Sequence, residues 1–256
     1  MNLVTFTIVL DGGEFIKKHL PIFQQLSIPW RWIVVEGSSQ NTGSTSWCRP
    51  QPPRLSNDGT TEYLKSITDP RVTCLHSPDW KSKDDQCNAA LAQITEPCVL
   101  MQIDADEIWQ PSQVETIVRL FDERPPLSSI MFACRYFVGP NLILEGSENC
   151  YGNFDYEWLR AFRFTPGQRF LRHEPPVLEG DDPSRRMSKE ESRKLGLVFD
   201  HFAYATEAQV AFKEEFYGYR WLVSQWHALQ NSRTFPVTLS RYFGHVSGDK
   251  PKVIRI

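Results

Sequence analysis

Asp104 and Asp106 stand two positions apart, directly after the apolar run Val99-Leu100-Met101-Gln102-Ile103. Alternation along an extended chain turns both carboxylates to one side and Ala105 to the other. At a separation of ~6 Å and an effective dielectric near 20 their repulsion is about 3 kcal/mol, which favours a bound cation or a raised pKa. A hard divalent ion, Mn2+ or Mg2+, would relieve that repulsion and bridge to phosphate oxygens. The same spacing also fits an acidic loop that only solvates a turn or caps a helix. Glu107 follows at once, placed either to support the pair or to meet solvent.

What separates these readings is where the pair falls. Four short apolar segments, 4–10, 32–36, 72–76 and 99–104, predict strands, and helix-compatible stretches lie between them. That alternation is the pattern of a mostly parallel sheet covered by helices, an α/β fold. Cys87, Ala90, Leu91 and Ile94 keep helical spacing, and so do Val114, Ile117, Val118 and Phe121. Ser112 with Glu115, just after Pro111, predicts a capping box for the second of these helices. Open α/β sheets form their ligand crevice at the C-terminal ends of strands, and the acidic pair sits at such an end.

The polar stretch 38–57 reads as a surface excursion free to move. Beyond residue 126 the pattern becomes irregular: strands are expected at 130–138, 142–145 and 158–164, with a turn at Gly139-Pro140-Asn141. A long helix is expected over 206–231, capped by Thr206 and Gln209 and open to division at Gly218. The chain divides on this reading into a ligand-binding half (1–110), a second half that meets the co-substrate (111–204) and a helical C-terminal extension (205–256), all in one domain.

Composition narrows the partners. The chain of 256 residues carries 28 basic and 31 acidic side chains, so overall charge argues against nucleic acid or an anionic membrane as main partner. No apolar run reaches the ~20 residues of a membrane span, and the segment 3–10 has no basic residue before it and reads as a strand instead of a signal peptide. The six cysteines form no Cys-x-x-Cys pair and several lie in apolar contexts, which points to a reducing, cytoplasmic setting.

From residue 3 through the acidic pair the chain resembles the family-2-type glycosyltransferases of GT-A fold. Trp32-Ile33-Val34-Val35-Glu36-Gly37-Ser38 is similar to the segment whose carboxylate contacts the donor nucleoside. Lys83 followed by Asn88-Ala89-Ala90-Leu91 resembles the Lys…Asn-x-Ala-Leu stretch before the metal strand, and Asp104-Ala105-Asp106-Glu107 with Pro111 resembles the metal motif and the turn after it. Arg172-His173-Glu174 and Asp200-His201-Phe202-Ala203-Tyr204 resemble Val-His-Glu and His-x-x-Tyr segments of a subset that includes lipopolysaccharide-core and peptide glycosyltransferases. The sequence departs from the family pattern where stretch 38–57 separates Glu36 from Asp58-Gly59-Thr60, and where Asp11-Gly12-Gly13 follows the first strand, which implies an unusual donor pocket.

The resemblance implies a metal-dependent, inverting transfer from a nucleoside-diphosphate sugar to a glycan, lipid-linked or protein acceptor. It implies donor contacts at Leu10, Asp11, Glu36, Lys83, Asp104, Ala105 and Asp106, and a metal held by Asp104, Asp106 and His201. For the base that takes the acceptor proton Glu174 is preferred, with Asp155 and Glu157 in reserve. Each role has a plainer alternative: an ion pair to Arg169 or Arg172 for Glu174, a hydrogen-bonded half-buried imidazole for His201, a solvated helix start for Lys83. Trp109 and His173 are expected at the acceptor, whereas helical spacing assigns most of Phe212, Phe216, Tyr217, Tyr219, Trp221 and Trp226 to packing. Two rivals stand beside this reading. A sugar-phosphate nucleotidyltransferase would need a basic glycine-rich loop where Asp11-Gly12-Gly13-Glu14 stands. A catalytically silent glycan- or protein-binding module would bind nucleotide without turnover.

Overall fold

The computed structural model describes residues 1–145 and 158–256. Its first four strands are β1 (Leu3–Val9), β2 (Trp30–Glu36), β3 (Val72–His76) and β4 (Cys98–Gln102), each close to its expected bounds. They pair in parallel in the order β3-β2-β1-β4. Alternation sends their side chains to opposite faces. Leu3, Trp32, Val34, Val99 and Met101 face one core with α1 (His19–Phe23) and α4 (Pro111–Glu123), while Val4, Phe6, Ile33, Val35 and Leu100 face a second core with α3 (Lys83–Leu91). A short helix, α2 (Thr60–Ser66), precedes β3.

The expected strand 130–138 is two strands in two sheets. After β5 (Glu107–Ile108) come β6 (Ser129–Met131), β7 (Ala133–Gly139), β8 (Leu142–Leu144), β9 (Leu159–Phe164), β10 (Phe170–Arg172), β11 (Val177–Leu178), β12 (Arg186–Met187) and β13 (Val198–His201). Antiparallel β9 continues the main sheet from β4 towards β6 and β12, whereas β7 joins a second sheet ordered β14-β15-β8-β7-β13-β5, closed by β14 (Val237–Thr238) and β15 (Lys252–Arg255). The C-terminal segment, expected to be helical, thus also contributes strands. Its helical part is α6 (Glu207–Tyr217) and α7 (Leu222–Gln230), after the short α5 (Lys189–Lys194). The Thr206/Gln209 capping box is present, and Gly218 in the left-handed region ends α6, so the expected long helix is divided there.

Two further expectations are corrected. Helix α4 takes Pro111 as its first residue, which suits the missing N–H, and the box forms two residues earlier, with Gln110 N donating to Gln113 Oε1 at 2.9 Å. Glu115 instead accepts from both Ser27 N and Ser27 Oγ at 2.7 Å. The stretch 38–57 is no loose excursion: Ser38, Asn41, Thr45, Cys48 and Ser56 are buried. Its ends close on each other through Ser38 N to the Arg54 carbonyl (3.0 Å) and Arg54 N to Ser38 Oγ (3.1 Å). Asn41, in the left-handed region, donates to the Arg49 carbonyl at 2.7 Å, and Ser44 Oγ donates to Asp84 Oδ1 at 2.6 Å. Polar composition here satisfies backbone groups in a packed wall.

Candidate active site at the joint between two sheets

The Asp-x-Asp segment is the hinge of the architecture. Past β4 the chain turns, with Glu107 N donating to the Asp104 carbonyl at 3.0 Å, and β5 enters the second sheet with Glu107 opposite His201 of β13. His19 of α1 fixes the turn from below, its Nε2 2.9 Å from the Ala105 carbonyl. Both carboxylates open into a cavity of about 780 Å3 that Leu10, Asp11, Lys83, Ala105, His173, Glu174 and His201 also line. The fold thus gathers most of the residues singled out in the sequence.

Arg160 on β9 organises the acidic cluster. Its Nε and Nη2 reach Glu107 Oε1 at 2.9 and 2.8 Å, and Nη2 also donates to Asp104 Oδ2 at 2.8 Å. Burial raises the Glu107 carboxyl, the Asp104 charge adds to the rise, and the guanidinium opposes both. Burial likewise works against ionised Asp104, yet Arg160 beside it brings its carboxyl below the usual range. Asp106 has different company: His201 Nε2 at 3.5 Å from Oδ1 and the Lys213 ammonium of α6 at 3.9 Å from Oδ2. Despite burial, these charges hold Asp106 well below the ordinary carboxylate range. Lys213 is itself lowered by burial, with Asp106 pulling the other way.

Glu107 is fully buried, so its charge depends on Arg160. Arg160→Ala is therefore expected to cost about 3–5 kcal/mol of stability, the usual effect of leaving one partner of a buried ion pair alone. Urea denaturation measures it, and an unchanged midpoint would show that the cluster contributes nothing to folding.

The Asp11-Gly12-Gly13 loop and the Asp58-Gly59-Thr60 segment, far apart in sequence, meet in space. Asp11 pairs with Arg54 and accepts from Asn57 N at 3.0 Å, and Gly13 N donates to Asp58 Oδ2 at 2.7 Å. Glu36 is a correction. Expected at the donor, it is 0% exposed and does not line the cavity. Its carboxylate is occupied by Ser56 N (2.8 Å), Thr61 Oγ1 (2.5 Å) and His76 Nδ1 (2.6 Å), so it clips stretch 38–57 back to the strand end. Burial raises its pKa, but those hydrogen bonds outweigh burial and leave it lowered.

His173 is held by its backbone N donating to Asp84 Oδ1 at 2.6 Å. Its Nδ1 lies 3.6 Å from Cys87 Sγ, and burial, then the nearby Lys83 charge, pushes the imidazole down to about 3, so it is neutral near pH 7. Glu174 N donates to Ser44 Oγ at 3.4 Å, and among the described residues its carboxylate has no ion pair, neither to Arg169 nor to Arg172. Asp155 and Glu157 lie outside the described residues. Trp109 is the second correction: 2% exposed, it stacks on Phe199 at 4.7 Å and meets Phe132 edge-on, with no place in the cavity wall. Phe212, Phe216, Tyr217 and Tyr219 line the cavity instead, and of the helix aromatics Trp226 packs inside.

Arg160 and Lys213 were not foreseen. A charged side chain inside the apolar strand Leu159-Arg160-Ala161-Phe162, and a lysine three positions from both Val210 and Phe216, are the signals that mark them.

No three His, Cys, Asp or Glu side chains among the described residues form a group able to hold a metal by themselves. The residues nevertheless suit a divalent ion shared with a ligand. Mg2+ and Mn2+ commonly take one or two protein donors and complete their shell with phosphate oxygens and water. Asp106 and His201 offer a carboxylate and an imidazole side by side, and His201 Nδ1 is buried without a hydrogen-bond partner.

The glycosyl transferase family 2 model matches residues 55–188, just over half of the chain. The chain belongs to that family, and its large mixed α/β sheet flanked by helices is consistent with the GT-A fold. Similar solved structures include TarS of S. aureus, residues 1–349, at 11% identity and TM-score 0.45, with 64% of this chain and 47% of that one covered. TarS in complex with UDP-GlcNAc aligns at 12% identity and TM-score 0.43, covering 64% and 45%. The mannosyltransferase PcManGT of Pyrobaculum calidifontis, with GDP-Man and Mn2+, aligns at 15% identity and TM-score 0.49, covering 91% and 66%. The chain spans about half the length of the TarS 1–349 structures. No curated protein matches it, and among the described residues no helix is long and apolar enough to cross a membrane.

Proposed function

We propose that the protein moves a sugar from a nucleoside-diphosphate sugar to an acceptor hydroxyl, with inversion and with the help of Mn2+ or Mg2+. The observation that carries this reading is one cavity in which Asp104 and Asp106 face Arg160, Lys213 and Lys83 at the end of β4. Such mixed charge suits a diphosphate bound through cations. Asp106 and His201, with Asp104 beside them, are the residues that would hold the metal. When bound, the ion neutralises charge on the departing diphosphate. Arg160 keeps Asp104 ionised and oriented, and Lys213 and Lys83 add fixed positive charge where the leaving group gains negative charge. Leu10 and Asp11 form the nucleoside side. Glu174, in the same cavity and free of ion pairs, takes the acceptor proton. Direct attack on the face opposite the leaving group then inverts the anomeric carbon.

Thermal unfolding with a panel of nucleoside diphosphates and their sugars, each with and without Mn2+, tests the donor reading. A ligand at 100 times its dissociation constant stabilises by about 2.7 kcal/mol. Stabilisation by one nucleotide that requires metal is the expected result; no shift with any nucleotide would overturn the reading.

A further inference from the structure

Beside the cavity lies a second depression of about 570 Å3, lined by Arg49, Glu214, Glu215, Arg220 and Trp221 together with Tyr219. Tyr219 also lines the main cavity, so the two share a wall. Trp221 is 71% exposed and occupies the left-handed region at φ 59°. For a bulky residue that conformation is costly. Trp221 also stands at the N-cap of α7 without a side-chain cap bond, where Ser, Asp or Asn would serve the helix better. Neither packing nor backbone preference accounts for tryptophan here, and the start of α7 is served by Glu214, which accepts from Val223 N at 2.8 Å.

On the other side of Tyr219 and Tyr217, Trp47 from the packed stretch 38–57 is 54% exposed and stacks on Tyr217 at 5.2 Å and 10°. Trp47 lines the main cavity. Rings therefore follow one another from Trp47 on the cavity wall to Tyr217 and, at 5.4 Å, Tyr219, whose ring also stacks on His245 at 3.9 Å; Tyr219 and Trp221 then line the depression together. The depression is polar between its rings: Arg49 and Arg220 make no ion pair among the described residues and face Glu214 and Glu215, two charges of each sign. Arg49 lies over Gly218, where an added Cβ would meet its Nε at 2.6 Å.

We infer that the acceptor is an uncharged oligosaccharide several sugars long, whose reacting end enters the cavity past Trp47 and whose distal units cross Tyr219 to lie on Trp221 between Arg49 and Arg220. Sugar rings present apolar faces to aromatic rings and hydroxyls to guanidinium and carboxylate groups, and the alternation of both along one track fits a chain of them. A depression with no excess of either charge disfavours a nucleic acid or an acidic polymer. The inference rests on the proposed transfer for its direction, and on this track alone for its occupant.

Binding of the labelled protein to an array of immobilised neutral mono- to hexasaccharides tests it. Signal should rise with chain length for at least one glycan series. Trp221→Ala should weaken binding of the long members about tenfold, the scale of one lost aromatic stack, while leaving the monosaccharide signal alone. Trp47→Ala should weaken short and long members alike. Both tryptophans are exposed, and melting curves confirm that the variants fold. Binding that ignores length, a Trp221→Ala protein that retains the long glycans, or no glycan bound at all would overturn the inference. Nucleotide stabilisation of the wild-type protein is measured separately, so a failed donor reading and a failed acceptor track give different patterns.

Discussion

Asp106→Ala should lose metal-dependent sugar transfer by at least ~10²–10³ in kcat, the scale of removing one preorganised electrostatic group from a reacting centre. Neighbouring charges support that size. Asp106 is the carboxylate beside His201 and Lys213, whereas Asp104 is already engaged by Arg160. Loss of Asp106 removes the carboxylate proposed to bind the cation and leaves Lys213 and His201 without their counter-charge. The fold should survive, because among the described residues the side chain's ion-pair contacts are those two long ones, and the backbone carbonyl still accepts from Phe202 N at 2.9 Å. Asp106→Asn keeps the shape and removes the charge, so it should be nearly as inactive while melting like the wild type. Donor turnover at several Mn2+ concentrations measures both variants. Wild-type turnover in Asp106→Ala, at any metal concentration, would remove the metal assignment.

Strand positions and the acidic pair were legible because a buried parallel strand and its polar end are both written locally: apolar β-rich runs, then carboxylates. What sequence could not distinguish was the direction in which a strand-end carboxylate looks. Glu36 and Asp104 occupy equivalent ends of β2 and β4, yet Glu36 turns to Ser56, Thr61 and His76 of its own chain. Partners twenty to forty residues away decide that, and no local pattern records them. The stretch 38–57 misled for a related reason: serines, threonines and asparagines that bond to backbone look the same in composition as those that bond to water. Trp221 is exposed because helical spacing describes a helix and Trp221 stands just before one, whereas Trp109, expected at the acceptor for its place after the acidic motif, packs against Phe199 and Phe132. Arg160 is the deepest omission, since its role exists only once β9 lies beside β4.

Glu174→Gln should lower kcat about 10²–10⁴-fold while the protein still binds nucleotide and melts normally. The substitution preserves size and removes only the ability to accept a proton. Its surroundings argue that the group is positioned for that task instead of for stability. The backbone is pinned by His173 N on Asp84 and by Glu174 N on Ser44 Oγ, and Ser44 Oγ in turn donates to Asp84, so the segment is rigid. Glu174 lines the cavity and makes no close ion pair among the described residues, although the Arg160 and Lys213 charges act on it from a distance. A structural carboxylate in such a place would be paired, as Glu36 and Glu107 are. The readout is a split between parameters: a fall in kcat with the donor KM little changed marks a group that acts in the chemical step, because uniform loss of binding would instead raise KM. The fall should also shrink as pH rises, since a more basic solution removes part of the advantage of a positioned base. Should kcat stay within about threefold of the wild type, far below the usual contribution of a positioned base, Glu174 is not that base, and Asp155→Asn and Glu157→Gln are the next variants to measure.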